Sequence, residues 1–180
     1  MNGLIPQPWE RFLDALDGEL SKPVELHCIG GFVMTQEYGL SRETADMDVL
    51  TAVPLSRLAD LQRIAGEGSA FHRRFKVYLQ PVRIADYPED YESRLIRMWP
   101  GRHFANLRVF ALEAHDLALT KLDRNSDVDR ADVQSLARSG FIKEATLRKR
   151  YTAEYRPNVV SGERKLDLTL ELWVDMCWPR

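Results

Sequence analysis

Only two cysteines, Cys28 and Cys177, occur in 180 residues. Their spacing fits neither a zinc-ligand set nor a redox motif, which argues against a disulfide-stapled secreted fold and predicts free thiols in a reducing compartment. A basic excess is also missing. The formal charge is −2, so no global positive field exists to wrap nucleic acid. No apolar run reaches the length of a membrane span, and the amino terminus lacks a basic segment followed by an apolar one. By elimination these absences predict a cytoplasmic protein with no membrane partner. Internal repeats and low-complexity tracts are absent as well. Neither the Walker motif nor the dinucleotide fingerprint is found, because their glycine spacings do not occur.

What is present suffices for a folded core. Hydrophobic residues make up 44% of the chain and charged residues 29%. Arginine strongly outnumbers lysine, favouring planar, forked contacts to phosphate or carboxylate oxygens. The length suits one domain over 1–180. Within it, the pattern predicts a mixed α/β core over 22–112 and a helical extension over 113–180 packed on that core.

Trp9, Phe12, Leu13, Leu16 and Leu20 recur at helical spacing after Pro8 and predict a first helix. A strand over 25–29 should run into Gly30-Gly31, followed by a short helix over 32–38. A second strand is expected over 46–52. Leu55, Leu58, Leu61 and Ile64 or Ala65 then mark a helix ended by Gly66 and Gly68. Residues 75–84 read as extended with a break at Pro81, 91–98 as a short helix or irregular stretch, and 107–112 as a last strand. Helical patterns over 114–122, 128–138 and 141–155 follow. Leu166, Leu170, Trp173 and Cys177, spaced four, three and four, predict a terminal amphipathic helix. An exposed apolar face there would suit a partner protein.

Asp46-Met47-Asp48 carries the chemistry. Side chains alternate along a strand, so both carboxylates face one way. Like charges this close repel unless a cation lies between them, and a divalent metal with oxygen ligands answers that need. Upstream, Gly30 and Gly31 allow a tight turn with backbone amides open to a phosphate. A phosphate cradle beside a metal pair is the equipment of phosphoryl transfer.

Cys28-Ile29-Gly30-Gly31-Phe32, followed by Arg42-Glu43-Thr44-Ala45-Asp46-Met47-Asp48-Val49, resembles the nucleotidyltransferase superfamily that includes DNA polymerase beta. The Arg-x-Thr-x-Asp-x-Asp form is most similar to small bacterial proteins related to the nucleotidyltransferase toxins of abortive-infection, or type IV, toxin–antitoxin systems. The resemblance implies an α+β nucleotidyltransferase fold with a small mixed sheet and flanking helices. It also implies that Asp46 and Asp48 bind Mg²⁺, one ion or two, and that Gly30 and Gly31 contact a nucleoside triphosphate substrate, with Arg42 and Thr44 flanking the site.

The likeness continues through Asp116-Leu117 to Lys121 and on to Asp129 and Asp132-Val133. By that likeness Lys121 neutralises phosphate and Asp132 or Asp129 orients it. The superfamily's third carboxylate has no counterpart over 77–84, where Gln80 and Arg83 stand; Asp86 lies just beyond and is the candidate to swing in. Two basic clusters, His72-Arg73-Arg74 and Arg148-Lys149-Arg150 with Lys143, are candidate contacts for RNA such as tRNA. The expected activity is Mg²⁺-dependent transfer of a nucleoside monophosphate onto a hydroxyl of RNA, protein or a small molecule. The alternative is a nucleotide- or partner-binding protein of a toxin–antitoxin type system, without chemistry.

Overall fold

The computed structural model describes residues 4–40, 43–82, 86–159 and 162–179. Its fold is α+β: a five-stranded mixed sheet with helices around it, and a helical carboxyl-terminal part. The chain divides into two units, one formed by 1–83 with 95–111, the other by 84–94 with 112–180.

The first unit holds the sheet. Its strands are β1 (Val24–Cys28), β2 (Asp46–Val53), β3 (Tyr78–Pro81), β4 (Ile96–Arg97) and β5 (Leu107–Ala111), in the order β3-β2-β1-β5-β4. β1 runs antiparallel to β2 and parallel to β5, while β3 runs parallel to β2. Between β1 and β2 the register slips: His27 faces Thr51 but Cys28 faces Val49, leaving Leu50 as an extra residue. Such a bulge shifts the inward parity by one. Accordingly Met47 and Val49 are buried on one side of it, and Ala52, three residues on, is buried on the other.

Among its described residues this unit also holds α1 (Trp9–Gly18), α2 (Gly30–Gln36), α3 (Leu58–Ala65) and α4 (Ala70–Phe75), with a 3₁₀ turn over Leu55–Arg57. α1 buries Trp9, Phe12, Leu13 and Leu16, the expected stripe. Edge-on ring contacts join Trp9 to Phe32 at 4.8 Å and Phe12 to Phe71 and Phe75 at 6.0 Å, an arrangement favoured by the ring quadrupoles. The Asp17 carboxylate at the end of α1 accepts backbone N–H bonds from Ala105, Asn106 and Leu107 at 2.7–2.8 Å, which fixes the entry into β5.

Several boundaries differ from the sequence reading. α2 begins at Gly30, two residues early, because Gly30 itself supplies the turn. Residues 70–75 form a helix where the sequence reading assigned no element before an extended stretch from Phe75: Ser69 caps it by accepting the His72 N–H at 3.1 Å, and Lys76 ends it with φ +63°. The arginines and aromatics there masked the helical signal. Leu55 lies in a single 3₁₀ turn and is exposed, so the α3 stripe starts at Leu58.

The second unit contains α5 (Ala114–Leu119), α6 (Asp127–Arg138), α7 (Glu144–Arg150) and α8 (Glu163–Cys177), with a π turn over Tyr151–Tyr155. α6 opens with a capping box between Ser126 and Asp129, which satisfies two orphan amides reciprocally. α8 buries Leu166, Leu170, Trp173 and Val174. No helix among the described residues is long and apolar enough to cross a membrane.

Candidate functional site

β2 opens with Asp46, Met47 and Asp48. Met47 is fully buried, so the carboxylates on either side turn together to the opposite, half-exposed face. Thr44 Oγ1 donates to Asp46 Oδ1 at 2.6 Å and orients it. Arg42 lies outside the described residues.

The glycine turn meets the same face. A Cβ built on Gly30 would sit 1.9 Å from Asp48 Oδ2 and 3.0 Å from its Cβ. Gly30 also takes φ +70°, a region that costs an L-residue about 1–2 kcal/mol. Space and backbone therefore both demand glycine here. The Ile29 N–H donates to the Asp48 carbonyl oxygen at 3.0 Å, which ties the turn to the strand. Gly31 follows as the second residue of α2, half-buried.

On the other side of β2, Tyr78 pairs with Asp46 and Gln80 with Asp48. Burial, then the charges of Asp46, Glu67 and Asp48, push the Tyr78 phenol up. It therefore stands beside the acids as a neutral O–H. Its ring lies 4.6 Å from that of His72, whose Nδ1 accepts the Gly68 N–H at 3.0 Å. Tyr78 was not singled out in the sequence. No local signal marks it, because it meets the acids only through the pairing of β3 with β2. Burial, then the Asp48 charge, pushes the Cys28 thiol up, so it is an inert neighbour.

Among the described residues, no group of three or more His, Cys, Asp or Glu is arranged to hold a metal. The donor set on β2 is thus a carboxylate pair beside backbone that has no room for a Cβ. Two hard oxygen donors suit Mg²⁺, which is commonly bound through one or two carboxylates while substrate phosphates and water fill the remaining positions.

The remaining candidates belong to the second unit. Lys121, 2% exposed, donates to Asp132 Oδ2 at 2.9 Å and lies 3.6 Å from Asp129. Asp129 in turn accepts from Arg124 and Ser126. Burial opposes the Asp129 charge, but those bonds and Lys121 hold its pKa down at about 2. Asp86 is exposed, and its charge helps raise the Tyr155 phenol after burial has done so.

A second polar network in this unit was not legible in the sequence. Fully buried Asp116 accepts from Arg94 at 2.8 and 3.2 Å and from Arg150 at 2.9 Å. Arg94 also binds Glu154 at 2.6 Å, and Arg150 binds Glu113. His115 Nε2 accepts the Lys143 N–H at 2.9 Å, so Nδ1 carries the proton donated to Glu113 at 2.8 Å. Arg148 pairs with Glu144 and Glu171. Arg148 and Arg150, which read as a basic patch in the sequence, are thus committed to carboxylates.

The family model for a nucleotidyltransferase of unknown function (DUF6036) matches residues 11–174. No curated protein and no solved structure matches the chain.

Proposed function

Because the chain belongs to the nucleotidyltransferase family of unknown function DUF6036, we propose that it moves a nucleoside monophosphate from a nucleoside triphosphate to a hydroxyl group, at the face of β2 carrying Asp46 and Asp48. The observation that carries this reading is the 1.9 Å approach of a Gly30 Cβ to Asp48 Oδ2. It means that the turn and the acidic strand share one small space. Asp46 and Asp48 would hold Mg²⁺. When bound, the ion would screen phosphate charge and make an attacking hydroxyl more acidic.

The chain's own residues do the positioning. Thr44 fixes the Asp46 carboxylate, and the Ile29–Asp48 backbone bond fixes the distance between turn and strand. Gly30 and Gly31 leave the backbone open to the triphosphate. The acceptor oxygen bonds to the α-phosphorus, the bond from that phosphorus to the bridging oxygen breaks, and pyrophosphate leaves. The hydroxyl proton passes to water or to a carboxylate oxygen of the pair. The spacing from Arg42 to Asp48 supports a kinship with the small toxin–antitoxin nucleotidyltransferases of bacteria, and the proposal extends to work in the cytoplasm on RNA, protein or a small hydroxyl compound.

Incubation with α-labelled nucleoside triphosphates, Mg²⁺ and pools of tRNA, protein and small alcohols tests the proposal. Label should move to one pool with release of pyrophosphate, and Asp48→Asn should lower the rate by about a hundredfold or more. No transfer to any pool, together with nucleotide binding indifferent to Mg²⁺, would sink it. A second reading, binding without transfer, is favoured by one observation: the register partners of the acids on β3 are Tyr78 and Gln80, neither an acid. Calorimetric nucleotide binding that depends on Mg²⁺ and Asp48, with no pyrophosphate released, would select it.

A further inference from the structure

α8 has two distinct faces. Leu166, Leu170, Trp173 and Val174 are buried within the second unit. Elsewhere Arg164, Leu168, Glu171, Leu172 and Asp175 form an exposed stripe, spaced as residues on one helix face must be. Leu168 is 64% exposed and Leu172 50%. The unit's own fold explains the first set and not these two leucines. Beside them runs a groove of about 440 Å³, lined by Arg148, Tyr151, Thr152, Leu168, Leu170 and Glu171 among others. Its walls are set: Arg148 grips Glu171 with two bonds at 2.5 and 2.8 Å, and Tyr151 donates to Asp167 at 2.5 Å.

We propose that this stripe is where a second copy of the chain docks, α8 against α8, antiparallel about a twofold axis. Charge complementarity between the ends of the stripe selects that occupant, Glu171 near the axis being held by Arg148 of its own copy. An isologous interface presents one patch to itself, so the patch must complement its own rotated image. Setting Leu168 against Leu172 of the second copy also sets Leu172 against its Leu168. The same register brings Arg164 at one end of the stripe within one residue of facing Asp175 at the other end. Among the described residues, neither Arg164 nor Asp175 has an ion-pair partner within its own copy. A parallel arrangement would instead put Arg164 against Arg164 and Asp175 against Asp175. The leucines of each copy reach the groove beside the other's stripe, where Leu168 and Leu170 supply apolar wall.

Analytical ultracentrifugation of the full chain over micromolar concentrations tests this, with thermal melting as the control for folding. The wild type should sediment as a dimer, and the double variant Leu168→Glu, Leu172→Glu as a folded monomer. Arg164→Glu and Asp175→Arg should each weaken the dimer about tenfold, since two equivalent pairs are broken at once. Mixing those two single variants should restore wild-type affinity, because each then faces its opposite charge. That rescue does not depend on the leucine variant folding. A monomeric wild type, a dimer indifferent to the leucine changes, or charge variants that fail to rescue each other would overturn the proposal.

Discussion

In the second unit Asp116, fully buried, is met by two guanidiniums, while in the first unit Asp46 and Asp48 stand two residues apart on one strand face with the same sign of charge. The first arrangement is complete as a piece of folding. Each carboxylate of the Glu113–Asp116–Glu154 set finds an arginine or histidine within hydrogen-bond reach. The second arrangement sets two like charges side by side on one strand. It also spends a Gly30 backbone, at φ +70°, on coming close to one of the repelling groups. Opposite charges brought together need no explanation beyond stability; like charges brought together, and approached by a glycine, call for a ligand.

The sharpest way to break the comparison is to remove a charge from the complete network. Asp116→Ala leaves Arg94 and Arg150 facing each other without their shared anion, and should cost about 3–5 kcal/mol in urea unfolding. A cost below about 1 kcal/mol would show that the network is solvated and carries little. Gly30→Ala comes next. The added Cβ must displace the Asp48 carboxylate or the turn, and should cost about 1–3 kcal/mol and abolish nucleotide transfer. Retained stability and activity would mean that the turn and the strand relax apart freely.

Acid titration sharpens the contrast at smaller amplitude. Burial works against the Glu113 charge, but His115 and Arg150 outweigh it and bring the pKa from 4.5 down to about 2. A lowered folded-state pKa gives stability that is full above the unfolded value, drains as pH falls below about 4.5, and is gone beneath 2. Glu113→Gln should therefore melt earlier than wild type at neutral pH, by about 1–3 kcal/mol. The gap should narrow from about pH 4.5 downward and close near 2. A gap that stays constant with pH would detach Glu113 from its charged partners.

Legibility in the sequence followed the same divide. Period-2 and period-3.6 patterns located β1, β2, β5, α1, α6 and α8 to within a few residues, because burial of one face forces those periods. α4 was missed: its aromatic and basic residues imitate a half-buried strand, and the Ser69 cap is a single residue. The bulge at Leu50 left no mark, since it depends on where β1 pairs. At the site, Asp46, Asp48 and Gly30 could be read because their chemistry is local. Tyr78 could not, as it joins them only through the register of a strand 32 residues away. The Arg94–Asp116–Arg150 network was invisible for the same reason, its members being 22 and 34 residues apart.

The smallest change in stability should come from the residues with the largest consequence for chemistry. Asp46→Asn keeps an oxygen that can accept the Thr44 hydroxyl hydrogen bond, and it removes one of two neighbouring negative charges. Stability should therefore stay within about 0.5 kcal/mol of wild type or rise, as it does where a functional group is held against its own electrostatics. Asp48→Asn should behave alike, since the amide fits the space the carboxylate fills beside Gly30. Both variants should lose Mg²⁺-dependent nucleotide binding by calorimetry while melting at or above the wild-type temperature. A clear drop in melting temperature would turn the argument round. It would mean that the carboxylates are satisfied parts of the fold, as Asp116 is, and that β2 carries no metal.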